Sequence, residues 1–325
     1  MSYKDSDPYL VYAFYHFTEI AEPKNFASMW QKALTKLDVK GRIYIHLDGV
    51  NATCSLSRIT KEKFESWLKE QPGFKDVVLK IHSWDCHTFA RLNVRARPYL
   101  VAVDKKCDLS KRAEHVSPKK WKELLQRKDV LHLDVRNQFE YELGHFEGAE
   151  PPNCTTFREY SEKIQELAKK YDPKKTPVMM SCTGGIRCEI YSPLLKEAGF
   201  ETIYQLDGGV INYGLQEGSA HWKGKLFVFD DRMSIDISEE KSEPIATCYH
   251  CKTALCEDVY NCANMDCNYL FFSCPSCLMK DKGCCSSTCS ESPRTRPLAD
   301  QQAHRPFRRG YKKHLQKQPA EASKN

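Results

Sequence analysis

The first part of the chain alternates apolar strand patterns with a helical pattern. Residues 9–17 (YLVYAFYHF) form an apolar and aromatic run of the kind found in buried strands. Apolar residues then recur with the three- and four-residue spacing of one helix face, and these residues are Phe26, Met29, Trp30, Ala33, Leu34 and Leu37. Strand patterns follow at residues 41–47 and 51–56, and we expect residues 48–50 (DGV) to turn the chain between them.

A second helix and a fourth strand complete this N-terminal pattern. Thr60 is a residue type that caps helices, and the helix after it is expected to bury Phe64, Trp67 and Leu68. Residues 75–82 (KDVVLKIH) then predict a strand. The order β-α-β-β-α-β predicts a ferredoxin-like (acylphosphatase-like) α+β domain over residues 1–112.

A second unit, predicted over residues 117–226, alternates strands with helices in a different way. Ser117 followed by Pro118 is typical of a helix start. Strands are predicted at 130–135, 177–181 and 201–206, and helices at 157–171 and 186–199, where Gly199 ends the second helix. This alternation predicts an α/β domain with a parallel sheet covered by helices on both faces.

Cysteines dominate the segment from residue 245 to residue 291. Eight of them form four pairs with two to four residues between partners, the spacing of tetrahedral zinc ligands, and they are Cys248, Cys251, Cys262, Cys267, Cys274, Cys277, Cys285 and Cys289. The pairs predict a small module holding two structural zinc ions. A cross-braced arrangement, in which the first and third pairs share one ion, is one connectivity that the spacing permits, and a disulfide cluster is the alternative.

The positive charge of the chain is concentrated in its last residues. The formal net charge is +6, yet residues 293–325 alone carry nine Lys or Arg and two Asp or Glu. We expect residues 292–325 to be a disordered tail that either binds a polyanion such as RNA or only keeps the protein soluble. The candidate RNA-binding residues surround Phe307 and Tyr311, and they are Arg305, Arg308, Arg309, Lys312 and Lys313.

Hydropathy, cysteine content and the absence of known motifs indicate where the protein is located and which cofactors to expect. No apolar run approaches the ~20 residues that cross a bilayer, and the N-terminal residues lack the charge pattern of a signal peptide. We therefore expect a cytoplasmic protein, in which sixteen cysteines favour metal binding or thiol chemistry over disulfides. The chain shows no flavin or nicotinamide fingerprint, and its composition does not identify a protein partner.

The most informative stretch is residues 181–188, SCTGGIRC, between a predicted strand and a predicted helix. Amides at a helix start converge on an anion, which stabilises a thiolate there. Cys182 is therefore the candidate nucleophile, Gly184 and Gly185 permit the loop angles, and Arg187 adds positive charge. The loop amides expected to face the sulfur belong to Thr183, Gly184, Gly185 and Ile186.

Spacing separates the alternatives for this loop. Four residues lie between Cys182 and Arg187, whereas tyrosine-phosphatase loops have five, so the tighter loop suits a terminal sulfur better than a tetrahedral phosphate. Cys182 and Cys188 are too far apart in sequence for a typical zinc pair. The remaining alternative is a buried cysteine in a tight turn.

Two further motifs carry a resemblance to known proteins. Residues 133–150 (LDVRNQFEYELGHFEGAE) and 204–214 (YQLDGGVINYG) resemble the corresponding segments of rhodanese domains. The matching positions in the first segment are Asp134, Arg136, Glu140, Gly144, His145 and Gly148. The loop CTGGIRCE, placed after a ferredoxin-like domain and before NCANMDCN, is similar to the rhodanese-type tRNA uridine hydroxylases.

The resemblance implies a specific reaction. That family is associated with oxygen-dependent 5-hydroxylation of the wobble uridine, which makes tRNA the partner and molecular oxygen a co-substrate. Cys182 would carry a persulfide stabilised by Arg187, Asp134 and Arg136 would brace the loop, and Cys188 is a candidate resolving thiol.

Two other functions stay open at this point. One is a sulfurtransferase that takes sulfur from a donor, because the loop indicates a sulfur anion rather than its fate. The other is a non-catalytic protein that binds zinc and RNA, in which Cys182 is dispensable.

Overall fold

A five-stranded sheet forms the N-terminal domain in the computed structural model, which describes residues 3–101, 108–154, 159–267 and 269–297. The strand order is β4-β1-β3-β2-β5, and every pair is antiparallel except β2 with β5. The elements are β1 (Tyr9–Phe17), α1 (Pro23–Lys36), β2 (Lys40–His46), β3 (Gly49–Ser57), a 3₁₀ turn (Arg58–Thr60), α2 (Lys61–Lys69), β4 (Lys80–Trp84) and β5 (Leu92–Ala96). The first four strands have the predicted ferredoxin-like order, and β5 is an added edge strand.

Strand β1 is buried on both faces, which explains its unbroken apolar sequence. Leu10, Tyr12 and Phe14 pack into the core that the sheet shares with α1 and α2. Ala13 points the other way and packs into a core of the central domain. A strand that is covered on both sides needs no polar face, and β1 is therefore one element that joins the first two domains.

Three local predictions in this domain are wrong. The turn expected at residues 48–50 lies at residues 47–48, because Gly49 and Val50 already belong to β3. The strand expected over residues 75–82 begins only at Lys80, because Val77 is instead held by a backbone hydrogen bond to Phe74 in a turn. Thr60 precedes α2 as predicted, but its side chain does not cap the helix, since its hydroxyl donates to the Ser57 carbonyl at 2.8 Å.

The central domain contains the predicted parallel sheet, with strand order β6-β10-β9-β7. A 3₁₀ turn at Leu109–Lys111 leads into it. The elements are β6 (Glu114–Val116), α3 (Pro118–Leu124), β7 (Leu131–Asp134), α4 (Gln138–Leu143), β8 (Gly144–Phe146), α5 (Tyr160–Lys170), β9 (Val178–Ser181), α6 (Ile186–Glu197), β10 (Ile203–Leu206) and α7 (Gly209–Glu217). Short strands follow at β11 (Trp222–Gly224), β12 (Leu226–Phe227) and β13 (Ser234–Ile235).

Both faces of this sheet are covered, as expected from the sequence. Along β9, Val178 and Met180 pack into the core beneath α5 and α6, while Met179 packs into the core beneath α3 and α7. Ser117 caps α3 by accepting a hydrogen bond from the Lys120 amide at 3.2 Å. Helix α6 continues through Pro193. The sheet thus fixes the end of β9, from which the loop at residues 182–185 leaves.

The cysteine-rich segment folds into short hairpins and helical turns. Strand β14 (Ala246–Thr247) pairs with β15 (Leu255–Cys256), and β16 (Val259–Asn261) pairs with β17 (Leu270–Phe272). Two short helices follow, α8 (Pro275–Lys280) and α9 (Ser287–Ser290). Within the described ranges, no helix combines the length and apolar character needed to cross a bilayer.

Candidate active site

The loop at residues 182–185 joins β9 to α6 and carries Cys182 at its start. The Cys182 side chain is 1% exposed and lines a cavity of about 330 Å³ between the N-terminal and central domains. The predicted strand–loop–helix arrangement is therefore present, and a second domain closes over it.

Outward-facing carbonyls fix the orientation of the loop peptides. The amides of Val210 and Ile211, in the first turn of α7, donate to the carbonyls of Cys182 and Thr183 at 3.0 and 3.1 Å. The Lys80 ammonium donates to the carbonyl of Gly184 at 3.2 Å. Because the carbonyl and the N–H of one planar trans peptide point in opposite directions, holding the Gly184 carbonyl outward turns the Gly185 amide inward.

Inward-facing amides meet the Cys182 sulfur. The Gly185 amide donates to it at 3.1 Å, and the amides of Arg187 and Cys188 also hydrogen-bond to it. We predicted the Gly185 contact, but not those of residues 187 and 188. Gly185 has a φ of +100°, a conformation that favours glycine, whereas Gly184 is not among the positive-φ residues, so only Gly185 uses the conformational freedom of glycine in this way.

These contacts make Cys182 acidic. Burial alone would raise the pKa of Cys182, but the hydrogen bond from the Cys188 thiol, the charge of Arg187 and the two backbone amides lower it from 9.0 to about 5. Burial and the neighbouring Cys182 charge raise the pKa of Cys188 well above its ordinary value. One thiolate therefore lies beside one thiol that stays protonated, which fits a nucleophile and a hydrogen-bond donor.

Arg187 is held by a carboxylate rather than aimed at the sulfur. Its guanidinium donates to both oxygens of Glu140 at 2.7 and 2.8 Å and to the Thr183 hydroxyl at 3.0 Å. Glu140 is fully buried and accepts a hydrogen bond from the Asn137 amide at 3.1 Å, at the start of α4. The Arg187–Glu140 ion pair anchors α6 to α4. The positive charge that Arg187 brings to the site is therefore balanced by the Glu140 carboxylate.

Asp134 and Arg136 form a buried ion pair behind the loop. The Arg136 Nε donates to Asp134 Oδ1 at 2.8 Å, and its Nη2 donates to the Gly144 carbonyl at 2.6 Å. The Val135 amide between them donates to the Ser181 carbonyl at 3.0 Å. The pair braces the strand ends that support the loop. Neither Asp134 nor Arg136 is among the described residues that line the cavity.

His145 holds a turn at the end of α4. Its Nδ1 is 2.8 Å from the Tyr141 carbonyl, and its ring stacks on the Tyr141 ring with centroids 4.0 Å apart.

Lys80 brings a buried positive charge to the cavity from the N-terminal domain. Its side chain lies over the Tyr15 ring, with the nitrogen 4.8 Å from the centroid. Burial lowers the pKa of Lys80 from 10.5 to about 8, although the charges of Asp207, Cys182 and Glu189 oppose this change. With Cys182 ionised above about pH 5, thiolate and ammonium coexist between about pH 5 and pH 8.

Glu189 fastens the N-terminal domain to the helix that follows the loop. The Tyr15 hydroxyl donates to it at 2.7 Å, and Gln205 Nε2 and His115 Nε2 lie 3.0 and 3.2 Å from the same carboxylate oxygen. Arg112 Nη1 is 3.4 Å from its other oxygen. Burial would raise the pKa of Glu189, but its hydrogen bonds to His115 and Tyr15 lower it. Tyr15 is thereby fixed against the loop.

The eight paired cysteines gather into two clusters of four. Each cluster holds its sulfur atoms within 4.8 Å of one another, and the clusters are Cys248, Cys251, Cys274, Cys277 and Cys262, Cys267, Cys285, Cys289. The first pair therefore meets the third and the second meets the fourth, which is the cross-braced connectivity. Each cluster has the ligand set and proximity to hold one metal ion.

Backbone amides support these clusters. The Cys274 amide lies 3.4 Å from the Cys248 sulfur, and the Cys285 amide lies 3.5 Å from the Cys262 sulfur. Amide donors of this kind orient metal-ligating thiolates. The predicted RNA-binding residues of the tail lie outside the described residues.

The sequence patterns did not identify several residues that the structure places at the site. Glu140 was visible as the third position after Asn137 in a capping-box pattern. Lys80 stands out as a lysine inside an apolar strand pattern. The positions of Tyr15 and Arg42 at the cavity depend on how the two domains pack, and no local pattern indicates it.

Known protein families match the chain domain by domain. Family models match residues 9–100 as a UPF0176 acylphosphatase-like domain, 117–214 as a rhodanese-like domain and 223–290 as a rhodanase C-terminal region. The chain is 47% identical over 302 residues to a tRNA uridine(34) hydroxylase of Protochlamydia amoebophila, covering 93% of this chain and 94% of the relative. It is 48% identical over 303 residues to a tRNA uridine(34) hydroxylase of Chlamydia felis, covering 93% of each.

Gly209 provides a test of how tightly the loop is held. A Cβ atom at Gly209 would lie 2.5 Å from the Cys182 carbonyl and 2.7 Å from the Gly185 nitrogen, whereas one at Gly148 would meet nothing within 4 Å. Both glycines have positive φ, of 68° and 75°. We expect Gly209→Ala to lose about 1–3 kcal/mol more unfolding free energy than Gly148→Ala, because only the first overlaps backbone atoms. Chemical denaturation measures both, and equal losses would contradict a rigidly packed loop.

Proposed function

The chain belongs to the tRNA uridine(34) hydroxylase family, and we therefore propose that it hydroxylates the wobble uridine of tRNA at carbon 5, with Cys182 as the essential residue. The observation that carries this proposal is a buried thiolate, with a pKa of about 5, on the wall of a cavity between two domains. The named relatives favour hydroxylation over sulfur transfer. A protein that acts on tRNA in this way is expected in the cytoplasm, where its cysteines stay reduced.

The reaction that we propose needs an oxidant and a reductant. Insertion of one oxygen atom of O₂ converts the C5–H bond of uracil to C5–OH. The second oxygen atom leaves as water, and it takes two electrons and two protons from a cellular thiol reductant. The residues described above contribute a thiolate, inward amides and the Lys80 charge. We assign the supporting roles to Arg187, Asp134 and Arg136, which hold the loop through their ion pairs.

The same amides suit a persulfide on Cys182. Attack of the thiolate on the outer sulfur of a donor such as thiosulfate transfers one sulfur atom and releases sulfite. The product, Cys–S–S⁻, carries one negative charge, which the loop amides and Lys80 are placed to offset. Cys188 donates a hydrogen bond to Cys182. Its sulfur would attack Cys182 Sγ of the persulfide, forming a Cys182–Cys188 disulfide as the outer sulfur leaves as hydrosulfide with the Cys188 proton. We retain the resolving role of Cys188 as part of this proposal.

We propose zinc as the metal of both cysteine clusters. Four thiolates per site leave no open position, so each zinc would be structural and would take no part in the reaction. The basic tail is the proposed accessory contact for the tRNA backbone.

Nucleoside mass spectrometry tests the function. In cells that lack the gene, 5-hydroxyuridine and its derivatives should be lost from particular tRNAs, and wild-type protein should restore them. Cys182→Ala should restore none, because no thiolate remains. Cys86→Ala serves as the control, since Cys86 is exposed and lies on the N-terminal domain. Loss of a thiolated base instead would identify a sulfurtransferase, and unchanged nucleosides in the deletion would reject both functions.

Metal analysis tests the zinc assignment. Purified protein should contain two zinc ions per chain, and Cys251→Ser should reduce this number to one, because it removes one ligand of the first cluster. Cys256→Ala is the matched control, since this cysteine lies in the same module but in neither cluster. A ratio that stays at two in Cys251→Ser, or falls in Cys256→Ala, would contradict the assigned ligands.

A further inference from the structure

One face of the N-terminal sheet forms the roof of the cavity above Cys182. Ile43 and Ile45 on β2, and Val50 and Ala52 on β3, are buried in the core of their own domain, so the alternate residues face the other way. Those residues form two cross-strand pairs, Tyr44 with Asn51 and Arg42 with Thr53. All four line the cavity and are half-buried. A sheet face that carries polar and aromatic side chains over a reactive sulfur has the character of a ligand site.

The size and depth of the cavity limit what can enter. Its volume of about 330 Å³ is at the small end of the range for ligand pockets, which suits one nucleoside rather than a helical stem. Cys182 is 1% exposed, so a base in a stacked strand cannot reach its sulfur. Enzymes that act on a base inside a nucleic acid solve this problem by taking the base out of the stack.

The chemistry of the roof matches a pyrimidine. The rings of Tyr44 and Phe229 line the cavity, and aromatic side chains of this kind stack on bases. Asn51 offers an amide with one acceptor and two donors, which complements the N3–H donor and the carbonyl oxygens of uracil. Its Nδ2 is 3.5 Å from the Leu100 carbonyl, at the outer limit of a hydrogen bond, so a ligand competes with only a weak contact.

Three cationic side chains also border the cavity, those of Arg42, Lys80 and Arg187. Arg42 Nη1 donates to the Phe229 carbonyl at 3.2 Å, which fixes Phe229 near the roof. Lys80 lies on the opposite side, on the Gly184 carbonyl. Among the described residues, Arg187 forms an ion pair with a carboxylate, whereas Lys80 forms none. A ligand that presents a carbonyl oxygen, or that gains negative charge there, therefore meets Lys80 rather than Arg187.

We infer that this cavity is the subsite for the target uracil, which enters unstacked and is held by Asn51, Tyr44 and Phe229 beneath the N-terminal sheet. The inference rests on the proposed function and deepens it, because it assigns base recognition to the N-terminal domain and the thiolate to the central domain. Asn51 binds the hydrogen-bonding edge of the base, and the two rings hold its faces. Lys80 faces a base carbonyl beside Cys182.

Protection of Cys182 from alkylation tests occupancy directly. Full-length protein is treated with iodoacetamide in the presence of a tRNA anticodon stem-loop that carries uridine at the wobble position, or the same stem-loop with an abasic wobble nucleotide. Peptide mass spectrometry reads Cys182. We expect the uridine stem-loop to slow alkylation at least about tenfold relative to the abasic one, because only the first fills the cavity. Equal protection by both would overturn the inference.

Variants of the roof test recognition. We expect Tyr44→Ala to weaken protection of Cys182 roughly tenfold or more, while Tyr44→Phe, which keeps the ring, stays near wild type. Asn51→Leu is expected to weaken it about tenfold, because the uracil edge loses its partner. Asn93→Leu is the control, since Asn93 is half-buried on β5 of the same sheet and does not line the cavity.

The uracil subsite and the proposed hydroxylation are contradicted by different results. Without RNA, alkylation of Cys182 at a series of pH values shows whether each variant retains the thiolate and its surroundings. If Asn51→Leu and Tyr44→Ala keep that thiolate and also wild-type protection, the subsite is wrong while hydroxylation by Cys182 stands. If the deletion strain keeps its 5-hydroxyuridine, hydroxylation is wrong, and the stem-loop experiment still decides whether uracil occupies the cavity.

Discussion

The structure depends on the orientation of a few peptide groups between β9 and α6. Three successive carbonyls, those of Cys182, Thr183 and Gly184, accept hydrogen bonds from groups outside the loop. Peptide planarity turns the amide that follows the Gly184 carbonyl, that of Gly185, toward the Cys182 sulfur. The Cys188 thiol, the Arg187 charge and the amides of residues 187 and 188 at the start of α6 outweigh the cost of burying a charged sulfur and make Cys182 acidic. The chemistry of the site thus follows from the held loop together with the start of α6.

Those elements come from both domains. Helix α7 holds the first two carbonyls, and Lys80 of β4 holds the third. Tyr15 of β1 reaches Glu189 at the start of α6, and Ala13 of the same strand packs into the central core. The N-terminal domain therefore helps to form the loop itself. It completes the anion site, because the peptide that Lys80 holds is the one whose amide donates to the sulfur at 3.1 Å.

Sequence patterns predicted the parts of this arrangement that depend on local order. The ferredoxin-like strand order, the parallel sheet, the loop before α6 and the two cysteine clusters were all read from periodicity and spacing, and the fold class is confirmed. Cluster connectivity could not be chosen from spacing, because several pairings satisfy the same intervals. Domain boundaries and the roles of the site residues stay predictions. The placement of Lys80 and Tyr15 depends on packing between domains, and the bidentate pairing of Arg187 with Glu140 joins helices 47 residues apart in sequence.

The direct test of this account is the ionisation of Cys182 in the intact protein. The rate of alkylation at Cys182, followed by peptide mass spectrometry across a series of pH values, gives its midpoint. The inward amides, the Cys188 thiol and the Arg187 charge predict a midpoint near pH 5. A midpoint near 9, the ordinary value for a cysteine thiol, would show that the loop does not hold a thiolate.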